Sequence, residues 1–175
     1  MNQQEFTQLY EKDLQVKRVA EKLHEPGVQR VHLKELAGSL PAIIAASVFK
    51  NSTVPHLFVL NDKEEAAYFL NDIQSILGER DVLFFPGSYR RPYQIEETEN
   101  ANVLLRAEVL NRLSSRRKAA AVVTYPEGLF EKVITRKELS KNTLRVKESD
   151  MLSPDFLNET LNEYHFERVD FVTDP

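Results

Sequence analysis

The chain has 175 residues, room for one compact domain or for one domain and a piece of a second. Its 42% apolar and 29% charged content supports a core beneath an ordinary charged surface, and the net charge of −4 argues against a nucleic-acid binder acting through its whole surface. Having no cysteine, it has no disulfide framework and no thiolate metal site; its start lacks the basic and apolar regions of a secretory signal, and no run approaches the roughly 20 apolar residues of a membrane span, so a cytoplasmic protein is expected.

In chain order, the spacing of Phe6, Leu9, Tyr10, Leu14, Val16, Val19, Ala20 and Leu23 predicts one amphipathic helix over residues 4–24, stopped by Pro26-Gly27. A strand is expected at Arg30–Leu33, then a turn over Glu35–Ala42, a helix from Ile43 to Phe49 and a second strand at His56–Leu60, together a βαβ unit with Gly38 in its first turn. Lys63–Leu77 reads as a helix with Asp62 as N-cap and Gly78 as its stop. The continuous apolar run Asp81–Phe85 has the character of a parallel strand covered on both faces. Pro86–Pro92 is a loop. A helix follows from Ile95 or Glu97 to Leu113, with Val103, Leu104, Ala107, Leu110 and Leu113 as its buried stripe. Ala119–Thr124 completes the pattern as a fourth strand, and strands alternating with helices at this spacing call for an α/β fold, a parallel sheet flanked by helices.

Beyond Pro126 the texture changes. Thr143–Lys147 is apolar at every second place, Ser153 and Pro154 suit the N-cap and N1 of a helix reaching Tyr164, and Phe166–Val172 alternates weakly. The expected organisation is a helix over 1–27, an α/β domain over 28–126, and the first part of a small α+β domain over 127–175.

The turn at 35–42 occupies the place of a phosphate loop. A working loop needs G-x-x-x-x-G-K-[ST], with amides around the phosphates, a lysine on their charge and a hydroxyl on Mg²⁺. Here Glu35, Leu40, Pro41 and Ala42 fill those slots around Gly38, so no cofactor is expected and the domain reads as a binding module that does not turn over nucleotide. Two other readings stay open: a nucleotide-binding or hydrolytic α/β domain with an atypical site, and a nucleic-acid module using Tyr89, Arg90, Arg91 and Tyr93, the one basic stretch interleaved with aromatics. Arg116-Arg117-Lys118 is read as a solvated helix end, and Glu96, Glu97 and Glu99 as first-turn acids. The histidines at 24, 32, 56 and 165 show no ligand spacing, so no metal is expected.

The stretch Lys34-Glu-Leu-Ala-Gly-Ser-Leu-Pro-Ala-Ile-Ile44, the strand Val82–Pro86 with Pro92-Tyr93 soon after, the helix Leu105–Leu113, the run Ala121-Val-Val-Thr-Tyr-Pro-Glu-Gly-Leu129 and the ending Tyr164–Val172 together resemble the amino-terminal region of bacterial transcription-repair coupling factor. The resemblance covers nearly the whole chain after residue 28. That region is similar to the damage-verification protein UvrB, and the resemblance implies a domain with a degenerate phosphate loop followed by a small domain that docks the damage-recognition ATPase UvrA. Leu40, Pro41 and Ala42 depart from the intact loop of UvrB as the coupling factor's own residues do. Where UvrB inserts an aromatic-rich hairpin into DNA, this chain has only Gly87–Tyr93. The implied docking residue is Arg168, with Glu167, Asp170 and Phe171 beside it. The motor that pushes RNA polymerase, an ATP-dependent DNA translocase, belongs to other parts of the family pattern, so contact with polymerase and DNA is expected only through those parts, and this region is expected to pack on them. The pattern also continues past Pro175 into a Gly- and Arg-containing strand, so the chain is expected to end inside the second domain.

Overall fold

The computed structural model describes residues 3–88, 100–115, 119–144, 146–148, 150–164 and 166. The chain divides into two compact units, 1–133 and 134–175. The expected boundary at 126–127 falls at the start of a short helix inside the first unit.

The first unit is α/β. Three strands, β1 (His56–Val59), β2 (Val82–Phe85) and β3 (Ala121–Thr124), form a parallel sheet in the order β1-β3-β2, with Ala121 in register with both His56 and Val82. The central strand β3 is buried at all four residues, and β2 is nearly so. This is why both read as unbroken apolar runs, while β1, an edge strand of this sheet, alternates between half-buried and exposed. The strand expected at Arg30–Leu33 is absent. Residues 28–34 are irregular, and Val28, Val31 and Leu33 are exposed: three β-formers without a neighbouring strand to pair with.

Helices α3 (Leu40–Lys50) and α4 (Lys63–Leu77) pack against one face of the sheet, where Ala42, Ala46, Phe49, Ala66 and Ile73 join Val82, Ala121, Val123 and Tyr125 in one core. Ala42 and Ala46, one turn apart, let α3 approach closely. Asp62 caps α4 by accepting the amide of Glu65 at 2.8 Å, and Gly78 ends it at φ 87, as the sequence led us to expect. The single helix expected over 4–24 is two, α1 (Gln3–Lys12) and α2 (Leu14–His24). Asp13 makes the break: its backbone is extended and its carboxylate accepts the amides of Gln15 and Val16, starting a new helix in place of continuing the old one. Both helices pack on α3, which is therefore apolar on more than one side.

The opposite face of the sheet receives α5 (Asn100–Ser115) through Val109 and Leu110, over Leu83, Phe85, Ala120 and Val122. Of the buried stripe expected on this helix, Leu110 meets the core and Ala107 is half-buried, but the rest is displaced. Val103, Leu104 and Leu113 are exposed, and the face turned inward carries Asn102, Arg106, Val109 and Leu110. An arginine in the second turn of the helix thus occupies a core position, for a reason given below. A short helix, α6 (Pro126–Phe130), follows β3.

In the second unit α7 (Arg136–Lys141) opens with a capping box: Glu138 N–H donates to Thr135 Oγ1, and Thr135 N–H donates to the Glu138 carboxylate. Helix α8 (Pro154–Glu163) begins at Pro154 after Ser153, where the sequence placed it. No strand is present among the described residues of 143–147, and none of this unit's described residues is buried. The expected alternation there lacks a neighbouring strand among the described residues.

Candidate functional site

Two regions of the first unit bear on function: the turn before α3, and the carboxyl ends of β2 and β3, where open α/β sheets present their ligand crevices.

At the turn, Glu35 and Gly38 both have positive φ, 62° and 58°. The Leu40 amide donates to the Ala37 carbonyl at 3.3 Å, Pro41 has no N–H, and Ala42 is buried in the core. Ser39 stands at the N-cap without a side-chain capping bond. Three of the groups that would face a phosphate are thus engaged, absent or buried, and no strand leads into the turn. The strand–turn–helix geometry that holds a phosphate loop is missing along with its lysine and hydroxyl.

At the carboxyl ends of β2 and β3 a buried polar network joins the loop 86–88, α5 and α6. Arg106 is 5% exposed. Its Nη1 donates to the carbonyls of Pro86 and Gly128 at 2.7 and 2.8 Å, and its Nη2 to that of Glu131 at 3.3 Å. Its Nε lies 3.3 Å from the Glu131 carboxylate, and its guanidinium stacks 4.2 Å from the centre of the Phe85 ring. The Glu131 carboxylate also accepts the Ser88 amide at 2.7 Å and the Ser88 hydroxyl at 2.5 Å. Around this pair, Asn102 Nδ2 donates to the Gly87 carbonyl, the Gly87 amide to the Tyr125 hydroxyl, and Thr124 Oγ1 to the Phe85 carbonyl. A buried guanidinium is tolerated only when paired and bonded in this way, which explains why α5 turns Arg106 inward. Arg106, Ser88 and Glu131 are not among the residues that the sequence singles out. The available signal was an arginine three residues before Val109 and four after Asn102, on one helical face.

Tyr89, Arg90, Arg91 and Tyr93 lie outside the described residues, as do Arg116–Lys118, Glu96, Glu97, Glu99 and His165. So do Glu167, Arg168, Asp170 and Phe171. Among the described histidines, His56 packs edge-on to Phe49 with 5.3 Å between ring centres, and burial together with nearby His24 holds its pKa below the ordinary value. Among the described residues no group of three His, Cys, Asp or Glu side chains could hold a metal ion, and no helix is long and apolar enough to cross a membrane.

Over most of its length the chain is similar to transcription-repair coupling factors. It is 25% identical over 154 residues to the transcription-repair-coupling factor of Bacillus subtilis (strain 168), a match covering 87% of this chain and 13% of that protein. It is 28% identical over 123 residues to the transcription-repair-coupling factor of Rickettsia bellii (strain RML369-C), covering 70% of this chain and 11% of that protein. The chain thus spans a small part of the relatives it matches. No protein-family model matches it, and no solved structure does.

Proposed function

We propose that this chain is a non-catalytic interaction module of a transcription-repair coupling factor, which recruits UvrA to stalled RNA polymerase in nucleotide excision repair within the cytoplasm. The observation that carries the reading is the similarity to two coupling factors over most of the chain. The turn at 35–42 supports its non-catalytic half: with Pro41 and a buried Ala42 at the helix start, the fold retains helices and parallel strands without the groups that would grip a nucleotide. The second unit supports the docking half. Its described residues leave Met151, Phe156 and Phe166 exposed, and methionine and aromatic side chains are enriched at interfaces. Arg168 is the proposed centre of the docking face, since a planar fork pairs bidentately with a partner carboxylate. Glu167, Asp170 and Phe171, near it in sequence, are secondary candidates for partner contact. ATP-dependent translocation on DNA and contact with RNA polymerase belong, in this reading, to other parts of the parent protein.

Titration of UvrA with the parent protein's complete second domain joined to this chain tests the proposal. Binding at micromolar concentration is expected, with Arg168→Ala weakening it by about 2 kcal/mol, roughly thirty-fold in Kd. Absence of binding would refute UvrA docking, and undiminished binding by the variant would remove Arg168 from the face. Calorimetry with ATP and Mg²⁺ should show no heat of binding; a clear isotherm would overturn the non-catalytic reading.

A further inference from the structure

The Glu131 carboxylate is held as a bound anion is held. It accepts a backbone amide (Ser88, 2.7 Å) and a hydroxyl (Ser88, 2.5 Å) and is ion-paired with the Arg106 guanidinium, Nε to carboxylate oxygen 3.3 Å, at the carboxyl ends of two parallel strands. Amide, hydroxyl and guanidinium together form the donor set used for carboxylates and phosphates. The guanidinium is largely fixed without the carboxylate. Arg106 is oriented by the carbonyls of Pro86 and Gly128 and by the Phe85 ring, and Ser88 and Arg106 are each only 5% exposed. The carboxylate itself arrives on the residue just after α6, and the side chain before it, Phe130, is 90% exposed. Glu131 therefore reaches inward from the surface into a site built by other elements.

We infer that Ser88 and Arg106 form an oxyanion cradle at the end of the sheet, which the chain's own Glu131 occupies as an internal ligand. The cradle accepts small oxyanions, carboxylate or phosphate, and is closed to them only because Glu131 is covalently delivered to it at high effective concentration. The crevice where α/β folds take phosphate ligands is thus plugged from within, independently of the turn at 35–42.

The test is chemical rescue in the 175-residue chain. Glu131→Ala should lower the thermal midpoint, and acetate or phosphate should raise that midpoint saturably relative to chloride at equal ionic strength, as expected for ligands that bind only the folded state. The wild type and the double variant Arg106→Gln/Glu131→Ala should show only the general, non-saturating stabilisation that such salts give any folded protein. A response to acetate alone assigns the cradle to carboxylates, and a response to both extends it to phosphate; either supports the inference. Equal responses in all three proteins, or none in Glu131→Ala, would overturn it. Should Glu131→Ala be unfolded in chloride, recovery of its far-ultraviolet circular dichroism in acetate or phosphate is the supporting result, and failure to recover is the refuting one.

Discussion

Gly128 sits where a side chain has no room. A Cβ built there would lie 2.7 Å from the Phe85 carbonyl oxygen and 2.8 Å from Thr124 Oγ1, because α6 crosses directly over the ends of β2 and β3. Alanine ordinarily stabilises a helix relative to glycine. Here the steric conflict with backbone outweighs that gain, and Gly128→Ala should cost about 2 kcal/mol of stability in urea unfolding. A neutral or stabilising result would show that α6 can lift away from the strands. His56 gives the first unit a pH dependence of definite sign. Burial, reinforced by His24, holds its pKa in the folded state below about 6.5, so the unfolded chain takes up its proton first. The stabilisation is complete above pH 6.5 and is lost as pH falls through the folded-state value. Urea midpoints should decline across that interval, and His56→Asn should flatten this part of the profile.

At the scale of elements, local signals and packing signals had different fates. Asp62, Gly78 and Pro154 mark helix ends that the structure reproduces, because a cap is decided by residues within one turn of it. Asp62→Ala should accordingly cost about 1 kcal/mol, measured by denaturant unfolding of the whole chain. Asp13 carries the same information, but the apolar stripe runs past it and masks a residue suited to begin a helix. On α5 periodicity identified the helix but misjudged its inner face. The stripe Val103, Leu104, Leu113 is the more apolar one, yet the sheet and the loop 86–88 require Arg106 and Val109 to face them. Two substitutions separate these faces. Val109→Ala should destabilise by about 2 kcal/mol through lost burial and a cavity, and Leu104→Ser, at a site 68% exposed, should change stability by less than about 0.5 kcal/mol.

At the scale of the whole molecule, the chain is unevenly built. Every buried residue among those described belongs to the unit ending at Val133, and the unit beginning at Ile134 has exposed or half-buried residues only. Amide protection should follow this division. Exchange should be slowest in β3, whose four residues are all buried, and faster by orders of magnitude in α7 and α8. Comparable protection in α8 and β3 would contradict it.

The α/β class, three of the strands, the main helices with several of their ends, and the resemblance to coupling factors are legible in the residues alone. These follow from continuous apolar runs, from the 3.6-residue helical period, from caps and from the order of short motifs, all of which are written within a few neighbouring residues. Tertiary structure alone decided that Arg30–Leu33 is not a strand, that β3 lies between β1 and β2, and that Arg106 is buried against Glu131. A strand exists only where another offers it hydrogen bonds, and a buried arginine only where carbonyls and a carboxylate from distant segments meet it. Ser88, Arg106 and Glu131 are far apart in the chain, and no local pattern announces that they share one site.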